Sequence, residues 1–152
     1  MDVDQFTDYF NWTMSFQKDS DILLTYGRVE VNHAVGPSAG SPPSGRNKTK
    51  LVAWFASHCD TQSRREKYVT ELQKYINVDV YGGCGPLECV PSSNNSRHCY
   101  EMLERDYKFY LAFENSLCRD YVTEKLFVVL QVPGCSEHSK ESRAKSFPSC
   151  PA

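Results

Sequence analysis

Residues 107–127 read Tyr-Lys-Phe-Tyr-Leu-Ala-Phe-Glu-Asn-Ser-Leu-Cys-Arg-Asp-Tyr-Val-Thr-Glu-Lys-Leu-Phe, and their pattern decides the fold class. Phe109 to Phe113 is a short, almost unbroken apolar and aromatic run, as expected of a strand buried on both faces of a parallel sheet. Glu114 and Asn115 follow at its carboxyl end, and then a polar loop. Asp120 is placed to cap a helix running from Tyr121 through Lys125. Open α/β sheets bind ligands where a strand, a loop and a helix start meet, and a helix start favours phosphate. Lys125 in the first turn opposes the helix dipole unless an anion lies nearby.

Upstream, Leu51 to Ala56 is a second buried strand, and Ser57 to Ser63 forms a polar connection. A helix is predicted over Arg64–Tyr75, with Tyr68, Leu72 and Ile76 at four-residue spacing on one packed face. Val78 to Tyr81 returns as a strand before Gly82-Gly83. Strand, helix, strand is a βαβ unit, so the fold class is α/β with a parallel sheet. Arg64 and Arg65 both sit in the first turn of that helix, where cations are disfavoured unless an anion compensates them. A further short helix is expected at Arg97–Arg105.

The 152 residues suffice for one core. A net charge of −2 without a basic cluster argues against a nucleic-acid partner. No apolar run approaches the roughly 20 residues of a membrane helix, and no secretory signal starts at Met1. Asn11, Asn47 and Asn94 head N-glycosylation sequons, and seven cysteines are many for a reducing cytosol. Both features point to the secretory lumen. Cys84, Cys89 and Cys99 frame a loop poor in apolar residues; their spacing suits disulfides better than zinc. Residues 32–50 are rich in Gly, Pro and Ser and read as a flexible linker. Asp2-Val3-Asp4 and Asp19-Ser20-Asp21 have the spacing of a divalent-metal motif, but neither follows a nucleotide-binding strand, and no metal is assigned. His58 receives no role.

Phe109-Tyr110-Leu111-Ala112-Phe113-Glu114-Asn115-Ser116, followed by Asp120-Tyr121-Val122-Thr123-Glu124-Lys125, closely resembles the signature of the α1,3-fucosyltransferases, glycosyltransferase family 10. Phe10 to Ile22 resembles a second stretch of that family, with Phe16-Gln17-Lys18 as a departure. The cysteine-bearing loop is similar to the branch acting on the inner N-acetylglucosamine (GlcNAc) of N-glycans. The resemblance implies two facing Rossmann-like domains (the GT-B arrangement), the second binding GDP-fucose. On that reading residues 1–31 are a remnant of the acceptor-side domain, 51–132 a partial donor domain and 133–152 a disordered tail.

Matched residue by residue, Asn115, Tyr121, Glu124 and Lys125 fall on positions that contact the GDP part of the donor, and Glu114 lies within the same motif. Spacing to Tyr68 places the family's pyrophosphate-binding arginine at Arg65. The implied reaction transfers L-fucose from GDP-fucose to the 3-hydroxyl of GlcNAc in a glycoprotein glycan, with inversion and without a metal or other cofactor. The catalytic base is expected upstream of Met1, as is the anchor of a single-pass type II Golgi membrane protein. The competing expectation is a truncated, catalytically inactive chain with at most weak nucleotide binding, which would show no appreciable transfer.

Overall fold

The computed structural model describes residues 9–28, 47–89 and 97–130. The expected tail, most of the expected linker, the Asn94 sequon and Asp2-Val3-Asp4 lie outside these residues.

Three parallel strands form the central sheet: β3 (Lys50–Phe55), β4 (Val78–Tyr81) and β5 (Tyr107–Tyr110), in the order β4-β3-β5. Two short upstream strands, β1 (Met14–Ser15) and β2 (Ile22–Leu23), make a separate parallel pair. Helix α1 (Arg65–Leu72) links β3 to β4, which is the expected βαβ unit. Helix α2 (Arg97–Asp106) runs directly into β5, and α3 (Glu124–Leu130) follows it.

Alternation along β3 builds a core on each face of the sheet. Val52, Trp54 and Ala56 pack with Val78, Val80 and Val69 of α1. Ala53 packs on the opposite face with Tyr81, Tyr107 and Leu103 of α2. The α1 face that meets the sheet carries Arg65, Val69 and Leu72; the helix stops at Leu72 rather than Tyr75, and Ile76 packs on the core from the turn that follows. Tyr68, expected on that face, is 61% exposed and meets the partly buried Phe113 edge-on. Arg65 takes an inward place instead, its guanidinium 5.6 Å from the Trp54 ring centroid.

The third strand also differs from expectation. It begins at Tyr107, paired with Lys50, and ends at Tyr110, paired with Ala53; one more bond, from Leu111 N–H to the Ala53 carbonyl, extends the ladder. Phe109 is 45% exposed rather than buried on both sides, whereas Tyr107 is 1% exposed. The Tyr107 hydroxyl explains why the strand starts there. It donates to Asp79 Oδ2 at 2.5 Å and accepts from Tyr81 at 2.7 Å and from Lys50 Nζ at 3.1 Å. Burial, reinforced by the bonds to Asp79 and Tyr81, raises its pKa far above the ordinary tyrosine value. Tyr107→Phe would leave Asp79 and the buried Tyr81 hydroxyl short of a partner, a cost of about 1–3 kcal/mol. A urea midpoint unchanged by this substitution would show that the network does not hold the three strands in register.

The β1–β2 unit is tied internally by Asp21, whose carboxylate accepts from Thr13 N–H at 2.9 Å and from its hydroxyl at 2.8 Å. Phe10 and Trp12, just before it, belong to no helix and are exposed. The unit docks on the segment preceding α3. The Phe16 and Tyr121 rings lie 4.9 Å apart, Asp19 pairs with Arg119, and Lys18 bonds Asp120 through its backbone N–H and its ammonium. Asp120 is therefore not a helix cap. It has a φ of 62°, its carboxylate is taken by Lys18 and Arg119, and α3 begins only at Glu124.

Candidate functional site

The carboxyl ends of the three strands open into one cleft of about 570 Å³. The connection from β3 runs outward to β4 through α1 on one face, and the connection from β4 returns across β3 to β5 through α2 on the other; the crevice at such a reversal is where open parallel sheets bind ligands. Phe55, Tyr81 and Tyr110 close the strand ends, and Ser57 and His58 come from the β3–α1 loop. Tyr100 enters from α2, and Asn115, Glu124 and Lys125 come from beyond β5.

The two loops at the mouth are fastened to each other. Ser63 N–H donates to the Asn115 carbonyl at 3.0 Å, and its hydroxyl to the Glu114 carbonyl at 2.7 Å. Arg65 extends across the same gap, donating to the Phe113 carbonyl at 2.7 Å and to the His58 carbonyl at 3.4 Å. Arg65 lines the cleft although it is 6% exposed, and its Nε has no hydrogen-bond partner among the described residues. A buried guanidinium N–H without a partner is rare in native proteins. Arg64 is exposed, stands outside the helix with a φ of 53°, and contributes nothing to the cleft lining.

Lys125 is the second cation of the cleft. The counter-anions that its place in the first turn called for are carboxylates of the chain itself. Its Nζ lies 3.2 Å from Glu114 Oε2 and 2.9 Å from Glu124 Oε1, and it donates to Thr123 Oγ1 at 2.8 Å. Burial works against its charge, but the Glu124 hydrogen bond and the Glu114 charge outweigh that and raise its pKa. Burial likewise opposes ionisation of Glu124, and bonds from Lys125 and the backbone outweigh it, so its carboxyl titrates below the usual range.

The six residues singled out in the sequence thus divide. Arg65, Asn115, Glu124 and Lys125 line the cleft together. Tyr121 and Glu114 stand behind them, Tyr121 bonding Asn115 Oδ1 at 3.2 Å and Glu114 holding Thr123 and Lys125. The aromatic wall of Phe55, Tyr81, Tyr100 and Tyr110 was missed. Its positions depend on strand register and on where α2 lies, and neither leaves a local signal. Burial, with a smaller contribution from the nearby Tyr100, pushes the Tyr110 hydroxyl well above the ordinary tyrosine pKa, so it stays a neutral donor.

Two disulfides frame the rim. Cys59–Cys84 joins the β3–α1 loop to the turn after β4, and Cys89–Cys99 forms part of the cleft wall. The pairing of Cys84 with Cys59 takes it outside the loop that the sequence suggested. Cys118 is also disulfide-bonded. The turn after β4 needs Gly82. Its φ is +91°, and a Cβ there would lie 2.9 Å from the Ala56 carbonyl oxygen. No group of three or more His, Cys, Asp or Glu side chains among the described residues is arranged to hold a metal ion, and no described helix is long and apolar enough to cross a membrane.

Residues 45–135 match the family model described as glycosyltransferase family 10 (fucosyltransferase) C-term. Alpha-(1,3)-fucosyltransferase C of Drosophila melanogaster is 45% identical over 140 residues, covering 81% of this chain and 32% of that protein. Glycoprotein 3-alpha-L-fucosyltransferase A of the same organism is 47% identical, covering 80% of this chain and 24% of that protein. Alpha-(1,3)-fucosyltransferase 4 of Homo sapiens is 42% identical, covering 78% and 22%. The chain spans about a third or less of the length of these curated relatives. More than half of its residues match the family model, and so the chain belongs to glycosyltransferase family 10, the fucosyltransferases.

Proposed function

We propose that the cleft is the donor-nucleotide site of an α1,3-fucosyltransferase that uses GDP-fucose and acts on GlcNAc of a glycoprotein glycan in the secretory lumen. The observation that carries this reading is the pair of partly or fully buried cations, Arg65 and Lys125, lining one cleft at the carboxyl end of a parallel sheet. Two facing Rossmann-like domains, of which this sheet belongs to the second, complete the proposed architecture.

In the proposed reaction the acceptor oxygen attacks the anomeric carbon of fucose from the face opposite the nucleotide. The bond from that carbon to the β-phosphate oxygen breaks, and GDP leaves with the electron pair, inverting the centre. Negative charge gathers on the pyrophosphate as the sugar becomes oxocarbenium-like, so fixed cations beside it lower the barrier. Arg65 and Lys125 take that role. Asn115, steadied by Tyr121, and Glu124 hold the nucleotide and so fix the anomeric carbon. The acceptor's proton passes to a base that is not assigned among the described residues. Exposed Asn11 and Asn47 in sequons, together with the disulfides, support the lumenal setting.

Titration calorimetry of the oxidised chain with GDP, GMP and ADP tests the site. GDP is expected to bind about tenfold or more tighter than GMP, the difference being a charge-assisted contact to the second phosphate. Equal binding of GDP and GMP, or no binding of GDP, would remove the assignment.

A further inference from the structure

We infer that Glu114 is a positioning residue that acts through Lys125 and does not itself contact the donor. The inference rests on the nucleotide reading of the cleft for its consequence, but its geometry stands alone. Glu114 is the first residue beyond the apolar run after β5, and its side chain is 13% exposed and absent from the cleft lining. Its carboxylate is filled from within the chain. Oε1 accepts from Thr123 N–H at 2.8 Å, the Thr123 hydroxyl lies within 3.0 Å of both oxygens, and Oε2 lies 3.2 Å from Lys125 Nζ.

Thr123 is 1% exposed and immediately precedes α3, its carbonyl accepting from Leu126 and Phe127 N–H. Its hydroxyl gives its proton to Glu114 and receives one from Lys125 Nζ, so three groups interlock around one oxygen. Glu114 therefore sets both where α3 starts and where the Lys125 ammonium points. Glu124, the other carboxylate on Lys125, lines the cleft and is exposed to an arriving ligand. A phosphate can displace Glu124 from Lys125 while Glu114 keeps the ammonium in place from behind.

Two effects of opposite sign separate this role from simple electrostatics. Removing a negative charge near an anion site strengthens anion binding if charge alone matters. It weakens binding if the charge serves to aim the lysine. Glu114→Gln keeps an acceptor for Thr123 and removes the charge beside Lys125.

The first measurement needs no ligand. Acylation of the free chain with an N-hydroxysuccinimide ester, read by peptide mass spectrometry, reports how tightly each ammonium is held. In Glu114→Gln, Lys125 is expected to label about threefold faster or more, while exposed Lys74 serves as the unchanged reference. Unchanged labelling of Lys125 overturns the inference. The second measurement is GDP affinity in a cycle with Lys125→Ala. Glu114→Gln alone is expected to weaken GDP about tenfold, and to change nothing further once Lys125 is alanine. Stronger GDP binding by the single variant, or additive losses, also overturns it. A parent chain that binds no GDP refutes the nucleotide reading, and the labelling result then decides the role of Glu114.

Discussion

Trp54→Ala is expected to destabilise the chain by about 3–5 kcal/mol, the usual cost of deleting a large aromatic side chain from a packed interior. Trp54 is 3% exposed in the middle of the central strand, with Val52, Ala56, Val69, Val78 and Val80 in the same cluster. Against a total stability of roughly 5–15 kcal/mol, that loss removes much of the margin. Chemical denaturation reads it directly, and an unchanged midpoint would show that the α1 side of the sheet is not the main core. A second effect accompanies the first, because the Arg65 guanidinium rests over this ring. Trp54→Phe keeps an aromatic face and should retain most of the GDP affinity, whereas alanine should lose it even where the chain remains folded.

Lys125→Ala is expected to weaken GDP binding by about ten- to a hundredfold, the equivalent of one charge-assisted hydrogen bond of 1.5–3 kcal/mol. The substitution also strands the Glu114 carboxylate, 13% exposed, beside an emptied cation position. Some loss of thermal stability should therefore accompany the loss of affinity. Lys74→Ala is the matched control, since Lys74 forms an exposed pair with Glu71 three residues away and is worth little. Equal effects of the two substitutions on GDP affinity would withdraw Lys125 from the site.

Both predictions rest on elements that the sequence announces unevenly. Strands β3 and β4 and the existence of helix α1 were legible because an apolar run or a helical period is a local signal that survives without knowledge of neighbours, although the helix ends at Leu72 and turns Tyr68 outward. The start of β5 was not. Tyr107 lies between Asp106 and Lys108, and only the Asp79–Tyr81–Lys50 network explains why a strand begins among charges. Asp120 looked like a cap because capping residues are recognised by type and position. Its partner Lys18 lies 102 residues away, and no local pattern reports that. For the site, Arg65, Asn115, Glu124 and Lys125 were found because a contiguous motif and one spaced arginine carry them. The aromatic wall and the Cys59–Cys84 pairing were invisible because parallel crossovers bring together residues that share no sequence neighbourhood.

The placement of the disulfides has a consequence for the reduced chain. The Cys89–Cys99 bridge is itself a surface of the cleft, and Cys59–Cys84 pins the loop that carries His58, whose carbonyl receives Arg65. Closing chain loops of 25 and 10 residues is worth about 3 kcal/mol each in the chain-entropy picture. The three strands pair through backbone bonds, and none of them carries a cysteine. Reduction is therefore expected to release the cleft wall and the His58 loop together, and to remove roughly 6 kcal/mol from a total stability of roughly 5–15 kcal/mol.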